Sequence, residues 1–215
     1  MMKSWEEEYK NSELLWGLTP NNTLTQYAEL VPPAGKVLDI GIGEGRNAFF
    51  FAQKGFSVEG IDLSETAIDR CSALSKKHHL DVVAKVADIT KLDVEPNHYS
   101  LIILSNILNF FPKEEIVPII DKVKKGLVKN GLVYINAFDI NEPSRKKAID
   151  KYQRLGRNSF LDSANKMFLH YFTKEEFEEF FPTYRTIKTG HSYAMDLSHG
   201  EPHYHSTLEL LAQKQ

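Results

Sequence analysis

The chain has 215 residues, of which 42% are hydrophobic and 26% charged, and its formal net charge is −3. This composition is typical of a folded globular domain and argues against the basic face that nucleic-acid-binding proteins carry. The longest apolar run, residues 101–111, is too short to span a bilayer. With one cysteine and no apolar stretch near the first residues, the sequence predicts a single cytoplasmic domain without nucleic-acid or membrane partners.

Residues 1–33 form a distinct N-terminal segment, because Pro32 and Pro33 end it just before the first predicted strand. Trp5, Tyr9 and Trp16 recur in this segment at roughly helical spacing. We therefore expect a helical segment that buries an aromatic face. Two interpretations stay open, namely a helix docked permanently on the edge of a sheet and a lid over a ligand pocket.

Residues 37–62 predict a strand, a glycine-rich turn, a helix and a second strand. The turn contains Gly41, Gly43 and Gly45. Because glycine has no Cβ, it can adopt a positive φ and it lets a ligand come close to the backbone. Asp39 precedes the turn, and Asp62 ends the second strand. Because the carboxyl ends of parallel strands meet at one edge of a sheet, we expect the glycines and Asp62 to face one crevice.

The spacing in this stretch indicates a nucleoside with a cationic tail. Asp62 lies 17 residues after Gly45, close to the ~20 residues that precede the ribose-binding acid of dinucleotide folds. The pattern G-x-G-x-G differs from the G-x-G-x-x-G of those folds, and Asp39 would repel a diphosphate and attract an ammonium group. A nicotinamide-dependent oxidoreductase is therefore the less favoured alternative.

The string DIGIGEG at residues 39–45 resembles motif I of the class I S-adenosylmethionine-dependent methyltransferases, and GEGRNA is similar to the tellurite-resistance methyltransferases and their relatives. The resemblance implies an α/β, Rossmann-like, doubly wound and mostly parallel seven-stranded sheet, of order 3-2-1-4-5-7-6 with strand 7 antiparallel. It implies an enzyme that uses S-adenosylmethionine, releases S-adenosylhomocysteine and methylates a small molecule at O, N, S or a metalloid. A binding or regulatory module of this fold without turnover is the alternative.

Strands are predicted next over residues 82–87, 99–104 and 132–138. The resemblance assigns Asp88 to the adenine amino group and Ile89 to the adenine ring, while a turn-forming acid is the rival interpretation of Asp88. Asn106 follows the fourth strand and either orients an acceptor or is an ordinary loop amide. Phe110 either faces the sulfonium, whose charge an aromatic ring attracts, or belongs to the core.

The predicted site therefore has two sets of residues. The cofactor-binding set is Asp39, Gly41, Gly43, Gly45, Asn47, Asp62, Leu63, Asp88, Ile89 and Ser105. The acceptor-binding set is Trp16, Arg46, Asn106, Phe110 and His203. Since methyl transfer to a lone pair requires mainly orientation and exclusion of water, no catalytic residue is assigned.

The last third of the chain departs from the alternation of strands and helices. A helix is predicted over residues 113–129, beginning nearer Val117 because of Pro118 and ending at Asn130 and Gly131. Residues 141–170 predict an insertion near the crevice, with a basic run that is typical of a solvated face. Residues 184–189 and 206–212 predict a closing antiparallel pair of strands.

The predicted loop 190–205 contains His191, His199, His203 and His205. These residues are interpreted as a metal site, as a polar rim of the acceptor pocket or as ordinary loop histidines, and no metal is predicted because no rigid scaffold accompanies them. Alternation along a strand would place His203 and His205 on one face. The tellurite-resistance family carries a His-Arg pair in this loop, and its absence here argues against a tellurite acceptor.

Overall fold

A seven-stranded sheet forms the centre of the computed structural model, which describes residues 5–197 and 201–215. Its strands, numbered along the chain, are β1 Lys36–Ile40, β2 Val58–Asp62, β3 Val82–Val86, β4 Tyr99–Ser105, β5 Leu127–Phe138, β9 Arg185–Asp196 and β10 His203–Gln213. Their order across the sheet is β3-β2-β1-β4-β5-β10-β9. The first five strands in this order, β3-β2-β1-β4-β5, pair in parallel. Strand β10 is antiparallel to both β5 and β9. The predicted order, with its last strand antiparallel, is confirmed.

Seven α-helices are present in the described ranges: α1 Trp5–Lys10, α2 Asn22–Gln26, α3 Arg46–Gln53, α4 Glu65–Lys77, α5 Lys113–Gly126, α6 Ser144–Lys151 and α7 Lys174–Phe180. Two apolar clusters show that both faces of the sheet are covered. Leu38 and Ile102 pack in the cluster that includes α5 and α7, whereas their neighbours Val37 and Leu101 pack with α3 and α4. Both faces of the parallel strands are therefore buried, as in doubly wound folds. No helix in the described ranges is long and apolar enough to cross a membrane.

The predicted boundaries of α5 and β5 were wrong. The helix begins at Lys113 and tolerates Pro118 in its interior. Pro118 is exposed, so the carbonyl that loses its hydrogen bond lies on the solvated side. The helix ends at Gly126, and Asn130 and Gly131 already pair with the backbone of Lys214, which extends β5 backwards to Leu127.

The predicted loop 190–205 is largely a hairpin formed by β9 and β10. The two strands pair from His203 opposite Asp196 to Gln213 opposite Arg185. Sequence patterning missed this extension because residues 190–196 are all exposed or half-buried, so they do not alternate between core and solvent. His191, His203 and His205 lie on strands, and His199 lies outside the described residues.

Residues between β5 and α7 form α6 and a second sheet. This sheet consists of β6 Gln153–Arg154, β7 Ser159–Asp162 and β8 Met167–His170, in the antiparallel order β6-β7-β8. Phe160 and Tyr171 are buried in its small core, and Phe110 and Phe138 pack against that core from the main domain. The segment thus abuts the edge of the main sheet where the parallel strands end.

Candidate active site

A cavity of about 490 Å³ lies at the carboxyl ends of the parallel strands, a size typical of small-molecule sites. It extends across the sheet from the end of β3 to the β9–β10 hairpin. Twelve of the predicted site residues line it: Gly41, Gly43, Asn47, Asp62, Leu63, Asp88, Ile89 and Ser105 of the cofactor set, and Trp16, Arg46, Asn106 and Phe110 of the acceptor set. Asp39, Gly45 and His203 are not among the residues that line it.

The glycine turn after β1 holds Asp62 at the cavity wall. Gly41, Gly43 and Gly45 all have positive φ, at 75°, 53° and 95°. The Gly43 N–H donates to Asp62 Oδ2 at 3.0 Å, and the Ser64 N–H donates to Oδ1 at 2.9 Å. Burial raises the pKa of Asp62, although the two backbone donors act in the opposite direction. The carboxylate therefore has a fixed orientation at the end of β2.

Asp39 and Gly45 lie behind the turn. The Asp39 side chain is fully buried, accepts a hydrogen bond from the Ala48 backbone, and has one oxygen, Oδ1, without a hydrogen-bond partner. Burial raises the pKa of Asp39 to about 7, against the opposing charge of Arg46. Gly45 precedes α3, and a Cβ there would collide with Phe49. The structure thus places Asp39 beneath the cavity, and its cofactor contact stays a prediction.

The N-terminal segment forms the roof of the cavity. The Glu6 carboxylate accepts hydrogen bonds from Ser64 Oγ at 2.6 Å and Thr66 Oγ1 at 2.7 Å, at the start of α4. These hydrogen bonds lower the pKa of Glu6 to about 2. Tyr9 is buried with its hydroxyl above Gly43, and Trp16 lines the same space. The segment is therefore located over the crevice, and whether it opens stays a prediction.

Glu44 connects the N-terminal segment to α4. Its carboxylate is buried at the cavity wall, accepts from the Leu15 N–H at 2.8 Å and pairs with Arg70 at 2.9 Å. Sequence reasoning missed Glu44, since it occupies a variable position of the G-x-G-x-G pattern. Its partners belong to a distant loop and to α4, which only the folded chain brings together.

Asp88 forms a turn and also lines the cavity. Its Oδ1 accepts from the Thr90 N–H at 2.9 Å and from the Thr90 hydroxyl at 2.7 Å, as in an Asx turn. Burial disfavours the charged form, but the hydrogen bonds from Thr90 outweigh it and lower the pKa of Asp88. Asp88 also lines the cavity beside Ile89, so its turn contacts leave the predicted adenine contact open.

Polar groups at the end of β4 face the middle of the cavity. Ser105 Oγ donates to Asn136 at 3.0 Å and accepts from Asn21 at 3.1 Å, and the Arg46 guanidinium lies 3.4 Å from it. Asn106 has positive φ, at 56°, and its side-chain oxygen is buried without a hydrogen-bond partner. Such an oxygen is costly to bury unless a ligand supplies a donor.

An aromatic wall bounds the cavity on the side of β4 and β5. Trp5 lies 6.0 Å from Trp16 and 5.1 Å from Phe110 between ring centroids. Phe110 lies 6.5 Å from Phe138, which stacks on His205 at 4.9 Å. The faces of such rings attract cations, so this wall suits a positively charged group and a planar or apolar acceptor.

The comparisons with known proteins agree with this geometry. Residues 37–131 match the family model described as a methyltransferase domain. The chain is 29% identical over 98 residues to the probable S-adenosyl-L-methionine-dependent methyltransferase TehB of Haemophilus influenzae, over 46% of this chain and 34% of that one. The chain is therefore similar to methyltransferases over the matched residues 37–131. It is also 24% identical over 113 residues to a carboxy-S-adenosyl-L-methionine synthase of Glaesserella parasuis, over 51% of this chain and 47% of that one.

Solved structures show the same fold. A methyltransferase from Methanosarcina mazei aligns with a TM-score of 0.73 at 20% identity, covering 92% of this chain and 99% of that one. TehB from Haemophilus influenzae aligns with a TM-score of 0.71 at 20% identity, covering 91% and 62%. The sequence matches span only about a third to a half of the first curated relatives. The substrate of this protein therefore has to be argued from its own site.

The acceptor side of the cavity contains residues outside the predicted acceptor-binding set. His205 lines the cavity, whereas the predicted His203 lies beyond it on the same strand. The buried Glu142 accepts from the His205 ring Nδ1 at 3.1 Å and from the Ser206 N–H at 2.7 Å. Strand alternation could have paired His203 with His205, but no local pattern connects either residue with Glu142.

Proposed function

We propose that this protein transfers a methyl group from S-adenosylmethionine to a small-molecule acceptor. The observation that carries the proposal is one continuous cavity, which joins a nucleoside-type site at the ends of β1 to β3 with the aromatic wall beside β4 and β5. A two-substrate transfer requires this arrangement, because donor and acceptor must meet in one water-poor space. The volume of about 490 Å³ supports a small acceptor, since the cofactor occupies part of it.

The residues at the β1–β3 end fit the cofactor by their chemistry. The fixed Asp62 carboxylate is proposed to bind ribose hydroxyls, and Asp88 and Ile89 are proposed to contact the adenine. Gly43 has no Cβ, and the Tyr9 hydroxyl occupies the space that a Cβ would need, so Tyr9 is proposed to cover the cofactor at this turn. The buried oxygen of Asn106 has no hydrogen-bond partner, so we propose that it accepts from an N–H donor of the cofactor, such as its ammonium group.

When bound, S-adenosylmethionine supplies an electrophilic methyl group on a positively charged sulfur. The aromatic wall of Trp5, Phe110 and Phe138 is proposed to favour that charge and to exclude water from the reacting atoms. Because the positive charge on sulfur disappears during transfer, the protein contributes mainly by orienting the acceptor lone pair opposite the sulfur. Cytoplasmic action is proposed on the basis of the single, unpaired and buried Cys71.

Calorimetry with S-adenosylmethionine, S-adenosylhomocysteine and NAD tests the cofactor part of the proposal. We expect both sulfur nucleosides to bind one site and NAD to show no heat of binding. Binding of NAD alone would overturn the proposal in favour of an oxidoreductase. Release of S-adenosylhomocysteine with a panel of O, N, S and metalloid acceptors tests turnover, and cofactor binding without any turnover would indicate a binding module.

A further inference from the structure

The β9–β10 hairpin brings three metal-binding side chains together at the acceptor end of the cavity. Asp196, His203 and His205 each offer one ligand atom, and these atoms lie within 4.8 Å of one another. His203 Nε2 lies 3.0 Å from His205 Nε2, which lies 3.5 Å from Asp196 Oδ2. Ligand atoms about 2.0–2.2 Å from a tetrahedral zinc ion are roughly 3.3–3.5 Å apart, so the two separations are close to those of a coordination shell.

The second ring nitrogen of each histidine is held by an oxygen. His203 Nδ1 lies 2.8 Å from the Glu201 backbone carbonyl, which can only accept a hydrogen bond. His205 Nδ1 lies 3.1 Å from the buried Glu142 carboxylate. Both Nδ1 atoms therefore carry hydrogens, and in the neutral rings the two Nε2 lone pairs face each other. Such support by a carboxylate or a carbonyl is typical of histidines that bind metals.

Two lone pairs at 3.0 Å repel each other unless a positive species lies between them. We propose that Asp196, His203 and His205 bind a divalent transition metal ion of the zinc class. Two imidazoles and one carboxylate match the ligand preference of zinc, and three protein ligands leave a fourth position for an exchangeable group. The sequence alone predicted no metal here because it read the hairpin as a loop, without the paired strands that form a rigid scaffold.

The site lies where an acceptor would bind, because Asp196 and His205 both line the cavity. On the basis of the proposed function, the fourth position binds the hydroxyl or thiol of the acceptor. Coordination lowers the pKa of such a group, and its proton is released to solvent. The resulting oxygen or sulfur anion forms a bond to the methyl carbon as the carbon–sulfur bond of the donor breaks, with its electron pair left on sulfur. The metal undergoes no change of oxidation state.

Zinc titration of the chelator-treated full chain, followed by calorimetry, tests the site itself. We expect one zinc ion per chain, and a cobalt-substituted form with the visible absorption of a tetrahedral centre. Glu142→Gln removes a supporting carboxylate and should weaken zinc binding by roughly 10- to 100-fold. His203→Gln and Asp196→Asn each remove a direct ligand and should weaken zinc binding by more than that. The matched control is His191→Gln, because His191 lies on the same hairpin outside the trio.

Equal zinc affinity in His203→Gln, Asp196→Asn and the control would overturn the proposal, as would no stoichiometric binding by the parent chain. Equal affinity would indicate that zinc binds elsewhere, and the absence of binding would indicate a proton shared between the two histidines. Circular dichroism verifies that each variant folds, and S-adenosylhomocysteine affinity is measured in parallel. Loss of zinc binding with unchanged S-adenosylhomocysteine binding isolates the metal site. Zinc binding without S-adenosylhomocysteine binding would refute the proposed function and leave the metal site standing.

Discussion

The two ends of the cavity differ in how the chain builds them. The end at β1 to β3 is formed by residues 40–43, 61–63 and 87–89, which lie at successive strand ends within one short stretch. The acceptor end combines the N-terminal segment, the loop after β4, Phe138 and the β9–β10 hairpin. The first end, called the local half below, is therefore formed by one short stretch of sequence and carries a recognisable motif. The second end, called the acceptor half below, depends on segments that are about 200 residues apart in the chain, so no local motif encodes it.

The largest expected effect concerns Asp39, which lies in the local half but outside the cavity. Its folded pKa of about 7 lies above the ordinary 3.8, so the protonated form is favoured by folding. The free energy of unfolding should therefore fall as pH rises from about 4 to about 7, by at most about 4 kcal/mol. Asp39→Asn should lack this decrease, as urea unfolding at several pH values would show.

Parallel pH profiles for the parent chain and Asp39→Asn would contradict the prediction about Asp39. The affinity of both proteins for S-adenosylhomocysteine, measured at the same pH values, would show whether Asp39 also serves the cofactor, as its position in the motif predicts.

Asp62→Ala tests the local half directly. Loss of hydrogen bonds to a charged group should weaken S-adenosylhomocysteine binding by about 1.5–3 kcal/mol. The control is Asp69→Ala, which removes the same charge from an exposed position on α4. Calorimetry should show the loss in the first variant alone. Unchanged affinity in a folded Asp62→Ala protein would refute the ribose assignment.

Hydrogen exchange over residues 5–16 tests whether the roof of the acceptor half is a lid. If opening of the roof releases the ligand, S-adenosylhomocysteine at ten times its Kd should slow exchange about tenfold, or by about 1.4 kcal/mol. Deletion of residues 1–16 should then reduce turnover more than stability. Slow exchange that is identical with and without ligand would instead establish a permanently docked helix, held by Glu6.

The smallest expected effect separates the charged donor from its neutral product. Phe110→Leu keeps an apolar side chain but removes a ring face, so it should weaken S-adenosylmethionine binding by about 0.5–1 kcal/mol and leave S-adenosylhomocysteine binding unchanged. Phe50→Leu, on α3 and away from the cavity, is the control. An equal loss for both ligands would assign Phe110 a packing role only.

The amino-acid sequence by itself predicted the parallel strands, because they are apolar runs separated by helices, and the resemblance of residues 39–45 to motif I implied their order across the sheet. It also determined the local half of the site, since the glycine turn, Asp62 and Asp88 each follow a strand, and strand ends converge by geometry alone. Helix capping likewise depends on residues that are close in sequence: Ser64 accepts from the Ala67 N–H, and Thr173 forms a capping box with Glu176.

Only the tertiary structure decided the acceptor half. Glu142 reaches His205 because β5 pairs with β10 as far as Phe138 opposite Thr207. Tyr9 lies over Gly43 because Glu6 hydrogen-bonds to the start of α4. Burial, rather than position in the motif, decided that Asp39 lies beneath the cavity. Such contacts depend on pairing and packing between distant segments, so they cannot be predicted from the periodicity of any single segment.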